Sequence, residues 1–346
     1  MSHVRTHTRT MGWLTWTASL AGLALVAALV VAEGWSGIAA AFERAGWALL
    51  LVVPARVVTQ VLDTRAWRVL LAPFDPGRAA GPVFLLWVAF VREAVNRLLP
   101  VANIGGEVVG VRLASLRVPD TAGVAASVIV EVLLTIVVLV LFCGAGAVLM
   151  LKLAAGPGLV GVVVAGVLLA LPLPVLAWWL LRHGAPFARL EQWALRLLGP
   201  RHSIALHLDG AGIDAAIGRL FRQHGRLARA AAWSLLANVL GTFETWYALA
   251  LLGHPVGLQA ALAIEALTQA VRHAGFMVPA GLGVQEAGVL LFGQLAGVGG
   301  DVALSLALVK RLREVATGVP ALVSWHWFEV RRLRLLRVPD YGPPGI

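Results

Sequence analysis

Fourteen of the ionisable residues between positions 92 and 314 lie in or near two broken apolar segments and the spans next to them in sequence. The acids are Glu93, Glu107, Glu131, Glu244, Glu265, Glu286 and Glu314, and the bases are Arg92, Arg97, Arg112, Arg272, Lys310, Arg311 and Arg313. A charge at the centre of a bilayer costs about 2.5–3.5 kcal/mol even on lenient insertion scales, so such residues pair with one another or line a path for a charged substrate. The balance of seven against seven predicts pairing inside the fold. Glu93, Asn96 and Arg97 share one helix face, as do Glu265, Gln269 and Arg272. Signatures of soluble enzymes are absent: there is no phosphate-binding P-loop, no Gly-x-Ser-x-Gly, no His-Glu-x-x-His and no Cys-x-x-Cys. No enzyme activity, metal or cofactor is expected. The single Cys143 lies in an apolar run, reads as a small buried hydrophobe and excludes an intrachain disulfide.

The surrounding sequence is that of a membrane protein. Of 346 residues, 59% are hydrophobic and 13% charged, with mean hydropathy +0.84. Soluble domains run nearer 45–50% apolar and about 25% charged, which excludes an ordinary cytosolic enzyme, a disordered chain or a nucleic-acid-binding module. Six stretches are long enough to span: 12–32, 47–72, 121–151, 159–181, 230–252 and 302–325. The end of the second, with Arg65, Trp67 and Arg68, is expected to emerge into the headgroups.

Two further apolar segments, 83–115 and 258–298, are broken by Pro and Gly and read as re-entrant or discontinuous helical hairpins. The first contains Pro100-Val-Ala-Asn-Ile-Gly-Gly-Glu107 and the second Pro279-Ala-Gly-Leu-Gly-Val-Gln-Glu286, offset by 179 residues. The same offset lays span 121–151 onto the last span. Three full spans separate the hairpins, so they enter from opposite sides, which is the arithmetic of an inverted repeat. The expected fold is therefore all-α: a polytopic transmembrane bundle of about six full spans plus two broken hairpins, forming one integral membrane domain over 1–346. Within it, 1–11 is a cytoplasmic tail, 80–151 the first repeat, 183–229 a basic cytoplasmic amphipathic loop, 257–330 the second repeat and 331–346 a second cytoplasmic tail.

Irregular backbone at membrane depth survives only inside protein or beside a wet cavity, and the N-termini of half-helices favour anions. Arg97, Asn103, Glu107, Glu265, Arg272, Glu286 and Arg311 are thus candidate substrate-binding residues, with a polar cavity expected between Arg97, Arg272 and Arg311. Glu107 and Glu286 can equally be first-turn acids that complement their helix dipoles. The offset maps Glu93 onto Arg272 and Glu131 onto Lys310, which predicts two ion pairs between the repeats, Glu93–Arg272 and Glu131–Lys310. Arginine clusters at 5–9, 65–78, 182–229 and 331–337 fall on one side if both hairpins return to their side of entry, leaving Arg44 and Lys152 opposite. The positive-inside rule then puts both termini in the cytoplasm. Phe187, Leu190, Trp193, Ala194, Leu197 and Leu198 recur at helical spacing among arginines, as in a helix lying on an anionic leaflet.

The run Val95-Asn-Arg-Leu-Leu-Pro-Val-Ala-Asn-Ile-Gly-Gly-Glu-Val-Val-Gly-Val-Arg112 resembles a signature of the lysylphosphatidylglycerol synthase transmembrane-region, or flippase-like, family. Ile264-Glu-Ala-Leu-Thr-Gln-Ala-Val-Arg272 and Phe276-Met-Val-Pro-Ala-Gly-Leu-Gly-Val-Gln-Glu286 resemble a second signature. With Val309-Lys-Arg-Leu-Arg-Glu314, the chain looks most like the hopanoid-biosynthesis-associated branch. The resemblance implies an inner-membrane protein that moves an envelope lipid between leaflets, with anionic headgroups as partners. The alternative is a non-transporting scaffold or regulator of a lipid-synthesis enzyme. Bifunctional members carry a soluble aminoacyl-transferase domain after the membrane region, so lysyl transfer is not expected of a chain ending at Ile346.

Overall fold

The computed structural model describes residues 46–99, 104–153, 172–198, 209–275 and 281–336, with Ala39, Glu43 and Val278 besides. Among these there are eleven α-helices and no strand. A 3-10 turn, Gly46–Leu51, leads into α1, Val52–Leu71. Pro54 is tolerated in its first turn, where no intrahelical N–H bond is forfeited. Two short helices follow, α2 (Pro82–Leu98) and α3 (Gly105–Ala114), then the long α4 (Thr121–Leu153). Next come α5 (Pro172–His183), α6 (Pro186–Leu198) and α7 (Gly210–Phe221). The chain then runs through α8 (His224–Leu251), α9 (Leu258–Ala274), α10 (Val284–Leu295) and α11 (Gly300–Leu336).

Residues 46–71 and 121–153 are long and apolar enough to cross a membrane by length and composition. At 1.5 Å per residue, α8 and α11 are about 40 and 55 Å long, against a hydrocarbon core of about 30 Å. By contrast α3 and α10 have 10 and 12 residues, too few to cross. The expected span 12–32 and most of 159–181 lie outside the described residues. Within the last part of that stretch, α5 begins at Pro172, as proline's fixed φ favours.

The region 183–229, where a basic amphipathic helix was expected, holds α6 over Pro186–Leu198 and α7 over Gly210–Phe221. Its α7 packs on α4, placing Ala216, Ile217, Leu220 and Phe221 in one core with Ala66, Leu70, Phe74, Ala126, Val130 and Leu133. The Asp214 carboxylate accepts the Ala188 N–H at 2.8 Å, which ties α6 to α7. Leu190 and Trp193 remain exposed on α6. Trp67 also departs from expectation. It is fully buried, donates to Ser127 Oγ at 3.1 Å, and leaves only Arg65 and Arg68 outside.

The register of the two broken segments is close. Gly105 and Val284, which open α3 and α10, are 179 residues apart, as are Thr121 and Gly300, which open α4 and α11. Packing is reciprocal: α2 lies on α11, and α9 lies on α4. Trp87 and Ala266, again 179 apart, stand at these crossings. Trp87 donates to Ser324 at 2.9 Å, while Ala266 abuts Gly146 so closely that a Cβ there would come within 2.5 Å.

Candidate functional site

Polarity in the bundle runs opposite to that of a water-soluble protein. On α11, Leu312 (55% exposed), Val315, Val319 and Val323 (63%) form an outward aliphatic stripe at helical spacing. The same helix buries Lys310 (5%) and Glu314 (4%). On α8, Leu236, Val239, Phe243 and Trp246 face out, whereas Ser234, Glu244 and Thr245 face in.

Among the described residues, three connected groups of charges, with two smaller sets beside them, lie in the interior. In the first, Arg92 of α2 binds Glu131 of α4 at 2.8 Å and also Glu107 of α3, and its guanidinium lies 4.8 Å from the Trp67 ring centre. Asn96, one turn along α2, accepts the Gly106 N–H at 2.8 Å, satisfying a donor at the start of α3. Gly106 makes this approach possible, because a Cβ there would run into the Arg92 carbonyl and the Asn96 side chain. Gly106→Ala should therefore push α3 off α2 and cost about 1–3 kcal/mol, the usual range for overpacking. Unchanged thermal stability of that variant in detergent would contradict this packing.

The second group joins α8, α9 and α11. Glu265 pairs with Lys310 and accepts from Thr245 and from Gln269, the last at 2.9 Å. Lys310 also donates to Thr245 at 2.8 Å. The third group surrounds Glu314. Arg272 approaches one of its oxygens at 3.2 Å and Arg311 the other at 2.9 Å. Arg311 also binds Glu286 at 2.8 Å, and Glu286 accepts the Gly283 N–H at 2.8 Å, closing the first turn of α10. Gly283 has φ +78°, a backbone suited to glycine. Nearby, Glu93 binds Arg56 of α1 at 2.5 Å and lies 3.9 Å from Arg97, while Glu244 pairs with Arg313.

These contacts correct both expected inter-repeat pairs. Glu131 pairs with Arg92 and Lys310 with Glu265; Glu93 pairs with Arg56 and Arg272 with Glu314. The reason is which helices meet: α4 packs on α9 and α2 on α11, while neither α4 with α11 nor α2 with α9 forms an extended packed pair among the described residues. Glu131 instead meets α2, through Arg92.

Of the candidate substrate residues, Glu107 and Glu286 occupy the same third position of α3 and α10, each held by an arginine from another helix. Glu265 belongs to the lysine group. Arg272 and Arg311 do meet, on the Glu314 carboxylate, whereas the ion pair of Arg97 is with Glu93. Arg97 and Glu314 border a gap between α2 and α11, with Phe90, Glu93, Ala94, Thr317 and Gly318, that is too narrow to hold a water molecule. The expected polar cavity at this level is thus replaced, in this gap, by closed packing. Asn103 and part of each tip, 100–103 and 279–280, lie outside the described residues. Sequence reasoning missed Arg92 and Arg56 as partners and Glu314 as a hub. Their signal was present, since each is a charge within apolar sequence.

An all-helical bundle that turns aliphatic side chains outward and pairs its charges inward is, as a class, an integral membrane protein. The family model for the lysylphosphatidylglycerol synthase TM region matches residues 17–321, and the chain belongs to that family. No curated protein and no solved structure matches it.

Proposed function

We propose that this protein moves an anionic envelope lipid across the inner membrane, by a path between the unit built from α2, α3 and α4 and the unit built from α9, α10 and α11. One observation carries the reading: the interior of a lipid-facing bundle holds a dense, mutually paired set of charges, including Glu107 and Glu286 at matching positions of two half-helices. A scaffold has little need for charge that is costly to bury. The 179-residue register and the reciprocal packing support an inverted repeat with two re-entrant hairpins. Six spans with cytoplasmic termini agree with the contacts that bring the α1–α2 loop, the start of α8 and Asp120 with Arg219 to one end of the bundle. The likeness to the hopanoid-associated branch makes a hopanoid-related lipid the first substrate to try.

In this reading the headgroup enters between α2 and α11 beside Arg97 and replaces the Glu314 carboxylate on Arg272. Guanidinium grips phosphate through two parallel bonds, which an ammonium cannot reproduce. The test is a leaflet-sidedness assay on protein in liposomes, across phospholipids, hopanoids and isoprenoid-linked lipids. Movement of one of these above empty liposomes is expected. Arg272→Lys should slow it at least about tenfold while leaving folding intact, because lysine can keep the single contact to Glu314. Movement of none of the lipids would favour the scaffold.

A further inference from the structure

A cavity at one end of the bundle lies away from this network. It has a volume of about 680 Å³ and opens where the end of α1, the α1–α2 loop and the start of α8 meet. That size falls within the usual range of small-molecule sites, about 300–1,000 Å³. Its walls carry Arg65, Arg68, Arg78, Arg226, Arg229 and Trp233. Arg56 of the interior network and Arg68 of the cavity are twelve residues apart on α1, about 18 Å along the helix.

The charge is unanswered here. Arg56, Arg92, Arg97, Arg272, Arg311 and Arg313 each have a carboxylate within ion-pair distance. Among the described residues, none of the five cavity arginines has one. The one wall acid, Asp75, is already engaged: its two oxygens accept the N–H groups of Ala79 and Ala80 at 2.9 and 3.0 Å. It shapes the loop, and among the described residues it forms no ion pair with the five guanidiniums, which outnumber its single charge. That loop also holds Arg78 in a left-handed backbone, φ +52°, which is uncommon outside glycine.

The arginines are partly ordered and keep spare donors. Arg65 stacks 5.2 Å from the Trp233 ring centre. Arg226 donates one N–H to the Val69 carbonyl at 3.4 Å, and Arg229 uses only Nε, on the Gly225 carbonyl at 3.2 Å. Several forked donors around one concave space match the oxygens of phosphate, and more than one phosphate group best balances five positive charges.

We propose that this cavity binds an anion bearing two phosphate groups, at a site separate from the path between the helix units. A lipid headgroup is one source, since basic pockets at membrane faces accept such headgroups; a soluble diphosphate is the other.

The test uses the full chain in detergent, with native mass spectrometry reading retained cardiolipin or phosphatidylcholine and calorimetry reading inorganic pyrophosphate. The variant is Arg68→Gln/Arg78→Gln/Arg229→Gln. These three side chains are exposed, so thermal stability should not change. A control, Arg189→Gln/Arg222→Gln/Arg331→Gln, removes the same charge elsewhere on the surface. Removing three cavity charges should weaken binding on the order of 100-fold, with the control near wild type. Retention of cardiolipin over phosphatidylcholine identifies the lipid source; pyrophosphate binding without that preference identifies the soluble one. Equal binding by wild type and cavity variant, equal loss in the control, or no binding of cardiolipin or pyrophosphate would overturn the proposal.

Discussion

Arg92→Met should destabilise the folded protein by about 3–5 kcal/mol, the cost of leaving buried charge without its partner. Arg92 is 8% exposed and is the shared counter-ion of Glu107 and Glu131. Its loss strands two carboxylates between α2, α3 and α4, and also removes the cation stacked on Trp67. Against a typical total of about 5–15 kcal/mol, that is a large fraction. Reversible unfolding in mixed micelles gives the number. Adding Glu131→Gln to the variant should recover part of the loss, because one of the stranded charges is then gone. A loss below about 1 kcal/mol would show that the pairing contributes little.

The second large effect is expected at Glu265 and Lys310. Lys310→Met removes a cation that holds Glu265 and Thr245, and Glu265→Gln removes an anion held by Lys310, Thr245 and Gln269. Each should cost about 3–5 kcal/mol, and the double substitution less than the sum. A double-mutant cycle should return a coupling of about 0.5–3 kcal/mol. The cycle on Glu131 and Lys310 should instead be additive within about 0.5 kcal/mol, since these residues bind different partners. Coupling in that cycle and additivity in the other would contradict the assigned pairs.

The difference between those cycles marks what was legible in the sequence. The helix starts at Gly105, Thr121, Val284 and Gly300 were readable, because Pro and Gly end one helix and the apolar run that follows begins the next. The inward placement of charge was readable too, since apolar surroundings leave few other options. Partner choice was not. It depends on which helices pack together, and a fixed offset of 179 residues carries no information on that. Glu131 and Lys310 are equivalent in register yet belong to different crossings. Trp67 misled for a related reason: a tryptophan between two arginines suggests an interface, but burial is decided by the α4 face that meets it, where Ser127 takes its N–H. The cavity of arginines is assembled from positions 65–78 and 226–229, which only tertiary packing brings together.

The central claim is that lipid passes between the two units, so the closed contact of α2 with α11 must open. That contact can be locked. With the end of the Leu98 side chain, 2.6 Å away, turned aside, a Cβ at position 318 would lie 3.4 Å from the Ala94 Cβ, close to the 3.5–4.5 Å usual between the Cβ atoms of a disulfide. Ala94→Cys/Gly318→Cys, in a Cys143→Ala background, is the protein to assay in liposomes before and after oxidation. Lipid movement should stop in the cross-linked form and return on reduction. Undiminished movement in fully cross-linked protein would contradict a path between these helices.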